Sequence, residues 1–149
     1  MDMGWLRSLH LLGAVVWVGG MFFAQFALRP SVAGLDPPQR LALLAAVMRR
    51  FVAWAGLAIV VIVASGAALL HAFGGLAGAG ARLHAMIGLG IVMIAVYAYI
   101  ALVALRRLHA AVERSDWSGG GRAMSTVRVL ILVNLVLGLA AVALGGFVR

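Results

Sequence analysis

Residues 7–23, RSLHLLGAVVWVGGMFF, set the frame for the chain. The run is apolar enough to enter a bilayer yet carries one ionisable side chain, His10, followed by Gly13, Ala14, Trp17, Gly19 and Gly20. At helical spacing His10, Gly13, Ala14 and Trp17 share one face (i, i+3, i+4, i+7). A face with a metal ligand at one end and small residues below it predicts room for something flat. An ionisable group within a span marks a functional site by default, because hydrocarbon does not solvate charge.

Working outward, three further apolar runs have the same length. The spans are placed near residues 8–28, 51–73, 83–105 and 127–148, each matching the roughly 20 residues that a bilayer crossing requires. Hydrophobic residues make up 65% of the 149, and mean hydropathy is +1.12, which excludes an ordinary soluble domain. The expected fold is all-α, an integral membrane antiparallel four-helix bundle forming a single transmembrane domain over 1–149. The first span is too long for a signal-peptide core and no small-residue cleavage site follows it, so it is expected to be retained.

The connections are short. Asp2 and Arg7 flank Trp5, an interface anchor, and Arg29-Pro30 is expected to stop the first span. Asp36-Pro37 then reads as a helix start. Residues 39–50 are amphipathic, with Leu41, Leu44, Ala45 and Met48 on one face, and are expected to project from the membrane or lie on it. The second span carries Ser65-Gly66 and ends at His71. GGLAGAGAR reads as a flexible link, and ERSDWSGGGR as a polar turn whose glycines break the helix before a fourth span near Arg128.

The formal charge is +8, from twelve arginines against four acids, with no lysine. At span ends such charge serves topology and anionic headgroups, and no nucleic-acid partner is expected. Arg29, Arg40, Arg49, Arg50, Arg106, Arg107, Arg114, Arg122 and Arg128 fall on the side of the first and third connections; Arg7, Arg82 and Arg149 fall opposite. The positive-inside rule puts both termini outside, on the periplasmic face of a bacterial inner membrane. With no cysteine, thiolate sites and covalent haem attachment are excluded.

His10, His71 and His84 then fall at one level near the outer surface, and His109 on the cytoplasmic side as a solvated helix-end residue. His10 and His84 start parallel helices over glycine-bearing faces, Gly13 and Gly88. Such a pair is suited to two axial positions of a non-covalent haem b, with His71 as an alternative ligand. Arg7 and Arg82 stand where propionates would emerge; Trp17, Met21, Met93 and Tyr97 would surround the ring. Asn134, with Gly138 at i+4, is expected to bond a neighbouring helix.

LHLLGAVVWVGG (residues 9–20) resembles the first-helix signature of the CopD-like membrane proteins, named for a copper-resistance component, and of the related HemJ-type protoporphyrinogen oxidases. RLHAMIGLG (residues 82–90) resembles the third-helix start of the HemJ group, and Arg128 with Asn134 a polar pattern in its last helix. The chain departs from that group at Met86, where it has lysine, and at Leu135-Val136, where it has an acid and a proline. The resemblance implies a haem-dependent membrane oxidoreductase or electron carrier, with a quinone or a porphyrin as redox partner. Two alternatives stay open. One is copper binding or transport through His10, His71 and His84 with Met3 or Met86, imidazole and thioether both being copper ligands. The other is a cofactor-free assembly subunit. Beyond membrane lipid, glycine-bearing faces permit a homo-oligomer.

Single cysteines introduced at Ser31 and Ser118 are expected to react with a membrane-impermeant thiol reagent only from the cytoplasmic side; labelling of both from outside overturns the orientation.

Overall fold

The computed structural model describes residues 3–78 and 80–146. Asp2 and Arg149, and the last two residues expected in the fourth span, lie outside the described residues. Four long helices account for nearly all of the rest: α1, Gly4–Ser31; α2, Pro37–Ala72; α3, Ala81–Glu113; and α4, Trp117–Gly146. Each is long and apolar enough to cross a membrane. Among the described residues there is no strand. An all-helical membrane bundle follows from the solvent, since hydrocarbon offers no partner for backbone polar groups and a helix satisfies them within one segment.

The helices pair as two hairpins, α1 along α2 and α3 along α4, with α4 also meeting α1 and the far part of α3 meeting α2. The faces turned inward keep a three-to-four-residue rhythm: Gly13, Trp17 and Met21 on α1, and Val127, Ile131, Asn134, Leu135 and Gly138 on α4. Outward faces carry exposed Leu, Val, Ile and Phe side chains, as lipid contact requires.

The helices outrun the bilayer at the arginine-rich end. α2 has 36 residues, roughly 54 Å at ~1.5 Å per residue. Its amphipathic first part projects instead of lying flat: Leu41, Leu44, Ala45 and Met48 are all buried. The physical reason is that α3 runs on to Glu113 and α4 starts early, which gives that face partners in Leu105 and Leu108. The expected turn at ERSDWSGGGR is accordingly much shorter. Asp116 accepts a 2.8 Å bond from the Gly119 amide, capping α4 well before Arg128. Gly120 lies inside that helix and is buried, where a Cβ would meet Leu41 Cδ1 at 3.2 Å. Gly120 allows close packing, and none of the three glycines breaks the helix.

α1 ends at Ser31, one residue past the stop expected at Arg29-Pro30, after a π-helical segment, Ala24–Leu28. The wider π turn removes the carbonyl register that a proline ring would strike, and the Ser31 hydroxyl donates back to Ala27 O at 2.8 Å. α3 carries a second π segment, Ile100–Ala104. Between α2 and α3, Gly74 (φ +88°) and Gly75 (φ +73°) take the left-handed conformation that stops α2. The link expected to be flexible holds a single helical turn, Gly75–Gly78.

Gly13 is a close approach of α1 to α2: a Cβ there would stand 2.7 Å from Ile62 Cγ1 and 3.1 Å from Ala58 O. Gly13→Val should therefore destabilise the bundle by about 1–3 kcal/mol through overpacking. Gly19→Ala, which meets nothing within 4 Å, should leave Tm unchanged or raise it. Thermal unfolding in detergent compares the two.

Candidate functional site

His10 lies in the second turn of α1, half-buried against α2. Its Nδ1 is 3.0 Å from the Ile62 carbonyl oxygen and 3.3 Å from Ser65 Oγ. A carbonyl only accepts, so Nδ1 carries the proton and donates it. Ser65 is buried and spends its own proton on Val61 O at 2.6 Å and Ile62 O at 3.2 Å, which leaves its oxygen free to accept from the imidazole. Nε2 keeps its lone pair. A ring whose other nitrogen donates to a carbonyl is the arrangement that orients histidine for a metal.

Gly66 makes room for that ring. A Cβ at Gly66 would stand 3.1 Å from His10 Cε1 and 3.4 Å from Nδ1. Ile62 is one turn before Gly66, and helical Cβ atoms tilt toward the N-terminus over the preceding turn. Removing the Cβ at residue 66 uncovers the carbonyl at residue 62. The same device recurs lower on α2: Tyr97 donates its hydroxyl to Val52 O at 3.0 Å, and Gly56, one turn on, is where a Cβ would strike that hydroxyl. Ile62, Ser65 and Gly66 are the partners that sequence reading did not assign. The Ser-Gly pair within an apolar helix was their visible signal.

The other predicted site residues are spread out. His84 is exposed in the first turn of α3, and its Nδ1 donates back to Gly80 O at 3.2 Å. His71 is exposed in the last turn of α2. Arg7 Cζ sits 5.7 Å above the Phe73 ring centroid, a cation–π contact in place of an open anion site. Arg82 is exposed beside His84. Trp17 is buried and packs edge-on against Tyr97, with ring centroids 6.3 Å apart. The room expected under His10 at Gly13 is filled by Ile62 of α2, while Gly88 faces open space with nothing within 4 Å of a Cβ. His109 is half-buried, bonded to Leu105 O at 2.8 Å, because α3 continues past it. Among the described residues, no three His or carboxylate side chains gather as a metal site.

Deeper in the bundle Asn134 is 1% exposed and donates Nδ2–H to Met93 O at 3.3 Å, the cross-helix bond expected of it. Its Oδ1 is buried and has no hydrogen-bond partner. A buried acceptor left unsatisfied costs roughly 1–3 kcal/mol.

The His10 geometry fixes a tautomer. ¹⁵N spectra of histidine-labelled protein should show the proton of the neutral His10 ring on Nδ1. An Nε2-protonated ring there would overturn the hydrogen bond to Ile62.

The family profile of CopD, described as copper resistance protein D, matches residues 45–148, more than half of the chain. The match takes in the second, third and fourth spans, including RLHAMIGLG and Asn134, but not the LHLLGAVVWVGG signature of the first. No curated protein and no solved structure matches the chain. A four-helix membrane bundle with this match over three of its spans belongs to the CopD family.

Proposed function

We propose that this chain handles copper at the membrane, with the ion as cargo and His10 as its principal ligand at the end of the bundle that carries the termini. The observation that supports this is the His10 imidazole, held by Ile62 O and Ser65 Oγ so that Nε2 retains its lone pair. His71 and His84, both exposed at the same end, supply further imidazoles. The thioether of Met86 lies there too, its Sδ 3.6 Å from where a Gly145 Cβ would stand. Imidazole and thioether suit copper(I), which accepts two or three ligands of this kind. Membership in a family described by copper resistance favours copper over haem as the occupant. By the arginine distribution this end faces the periplasm of a bacterial inner membrane, so copper would be met outside the cell's cytoplasm.

Nδ1 of the histidine is turned to α2, which leaves Nε2 as the nitrogen that would meet the ion. Ser65 and Gly66 orient it, and Arg7, held over Phe73, keeps positive charge at the rim without occupying the ligand atom.

The test is copper(I) competition against a chromogenic chelator with the detergent-purified protein, read beside its absorption spectrum. Copper(I) is expected to bind without a Soret band, and His10→Ala should weaken binding at least about tenfold, ~1.4 kcal/mol. A Soret band with sharp reduced α and β bands that changes in His10→Ala and His84→Ala would replace copper with haem b. Binding of neither would leave a cofactor-free assembly subunit.

A further inference from the structure

We propose that the cleft between α3 and α4 at the arginine-rich end binds one anionic phospholipid, its phosphate between Arg107 and Arg122 and an acyl chain running along α4 toward the bilayer. The site lies at the opposite end of the bundle from His10 and is independent of the copper reading.

The cleft follows from residue size. On α3, Arg107, Ala110, Ala111 and Arg114 share one face at i, i+3, i+4 and i+7; on α4, Gly119, Arg122 and Ala123 share another. Both faces line the cleft. Guanidinium arms thus stand over walls of alanine and glycine, and the space between them is about 380 Å³. That falls within the range of ligand pockets, roughly 300–1,000 Å³. α3 and α4 pack as a hairpin about Ser115, which is eight residues from Arg107 and seven from Arg122. These two arginines therefore stand at one level.

Charge in the cleft is unbalanced. Three arginines line it with one carboxylate, Asp116, whose Oδ1 already accepts the Gly119 amide at 2.8 Å. Arg122 donates to the Ser118 hydroxyl at 2.8 Å, a neutral acceptor. Among the described residues neither Arg107 nor Arg114 has an ion-pair partner. All three are exposed. Guanidinium pairs with phosphate oxygens through a bidentate fork, and a basic pocket between membrane helices suits an anionic headgroup.

Depth and the adjoining surface select a lipid over free phosphate. The expected third span ends near residue 105 and the fourth begins near 127. Arg107 and Arg122 then stand about 3 and 8 Å beyond the hydrocarbon at ~1.5 Å per residue, the level of lipid phosphates. At Arg122 and Thr126 the cleft joins a shallow groove whose wall toward the bilayer is Val129 and Leu130. The lining changes from guanidinium to aliphatic over two turns of α4, the same order as headgroup and chain in a phospholipid. Topology accounts for arginines at this end. It does not account for three of them around one cleft with an apolar exit. Arg49 and Arg50 on α2, also exposed, line neither hollow and serve as internal controls.

The experiment uses the detergent-solubilised full chain with phosphatidylglycerol or phosphatidylcholine of the same acyl chains. Wild-type protein is treated with phenylglyoxal, which modifies accessible guanidiniums, and the modified sites are read by peptide mass spectrometry. Phosphatidylglycerol is expected to slow modification of Arg107 and Arg122 several-fold relative to Arg49 and Arg50, while phosphatidylcholine leaves the pattern unchanged. Native mass spectrometry should show one phosphatidylglycerol retained in preference to phosphatidylcholine. Arg107→Gln/Arg122→Gln should abolish that preference; Arg49→Gln/Arg50→Gln, with the same change in charge, should keep it. Equal slowing at all four arginines, or equal loss in both variants, means diffuse attraction and overturns the site. The same protection by inorganic phosphate at matching concentration overturns the lipid in favour of a free anion. The footprint is read on the wild-type chain, so a poorly folding variant does not remove the test.

Discussion

Inside hydrocarbon a polar group has only the protein to pair with, and three side chains of this chain pair with main-chain carbonyls of the facing helix. His10 bonds Ile62 O, Tyr97 bonds Val52 O and Asn134 bonds Met93 O. These three contacts tie α1 to α2, α2 to α3 and α3 to α4 in turn. Each carbonyl belongs to a helix interior and offers a second lone pair beside the one its own ladder uses. Access to it is steric. On α2 the glycine one turn later, Gly66 for Ile62 and Gly56 for Val52, removes the Cβ that would otherwise cover the oxygen. Small residues thus do more here than bring helices close; they open backbone acceptors to side chains from other helices.

The same helices continue past the membrane at the arginine-rich end, where water again drives apolar burial. Leu41, Ala45 and Met48 pack in one cluster with Leu105 and Leu108, and Gly120 lets α4 pass close to Leu41. α2 belongs to both regimes. It carries the hydrophobic contacts of the projecting end and the carbonyls that hold His10 and Tyr97, in one uninterrupted helix of 36 residues. The position of the His10 ring is thereby referred to a rigid element.

The candidate site was legible in part. His10 stood out because hydrocarbon makes any ionisable residue conspicuous, and it is the histidine that the fold engages from another helix. The pairing with His84 was argued from equal depth. Depth follows from counting residues along a helix, whereas the direction in which a side chain leaves the bundle depends on helix rotation. His84 is exposed and bonded to its own Gly80 O. Gly13 was visible as a small residue, but a glycine admits a ligand or a neighbouring helix equally well, and Ile62 takes the space.

The sequence by itself determined that the chain crosses a membrane four times as helices, because apolar length and solvent chemistry are properties of local segments. It determined the CopD likeness on the same local basis, and it singled out His10 as an ionisable group inside a span. Only the tertiary structure decided that residues 39–50 project, that Gly119, Gly120 and Gly121 belong to α4, and that α1 holds a π-helical segment before Pro30. Each depends on a partner supplied from elsewhere in the chain or on a change of helical register. It also decided the His10 tautomer and the stranded oxygen of Asn134, since a proton's place on a ring and an amide's orientation are set by the carbonyl that another helix brings opposite them.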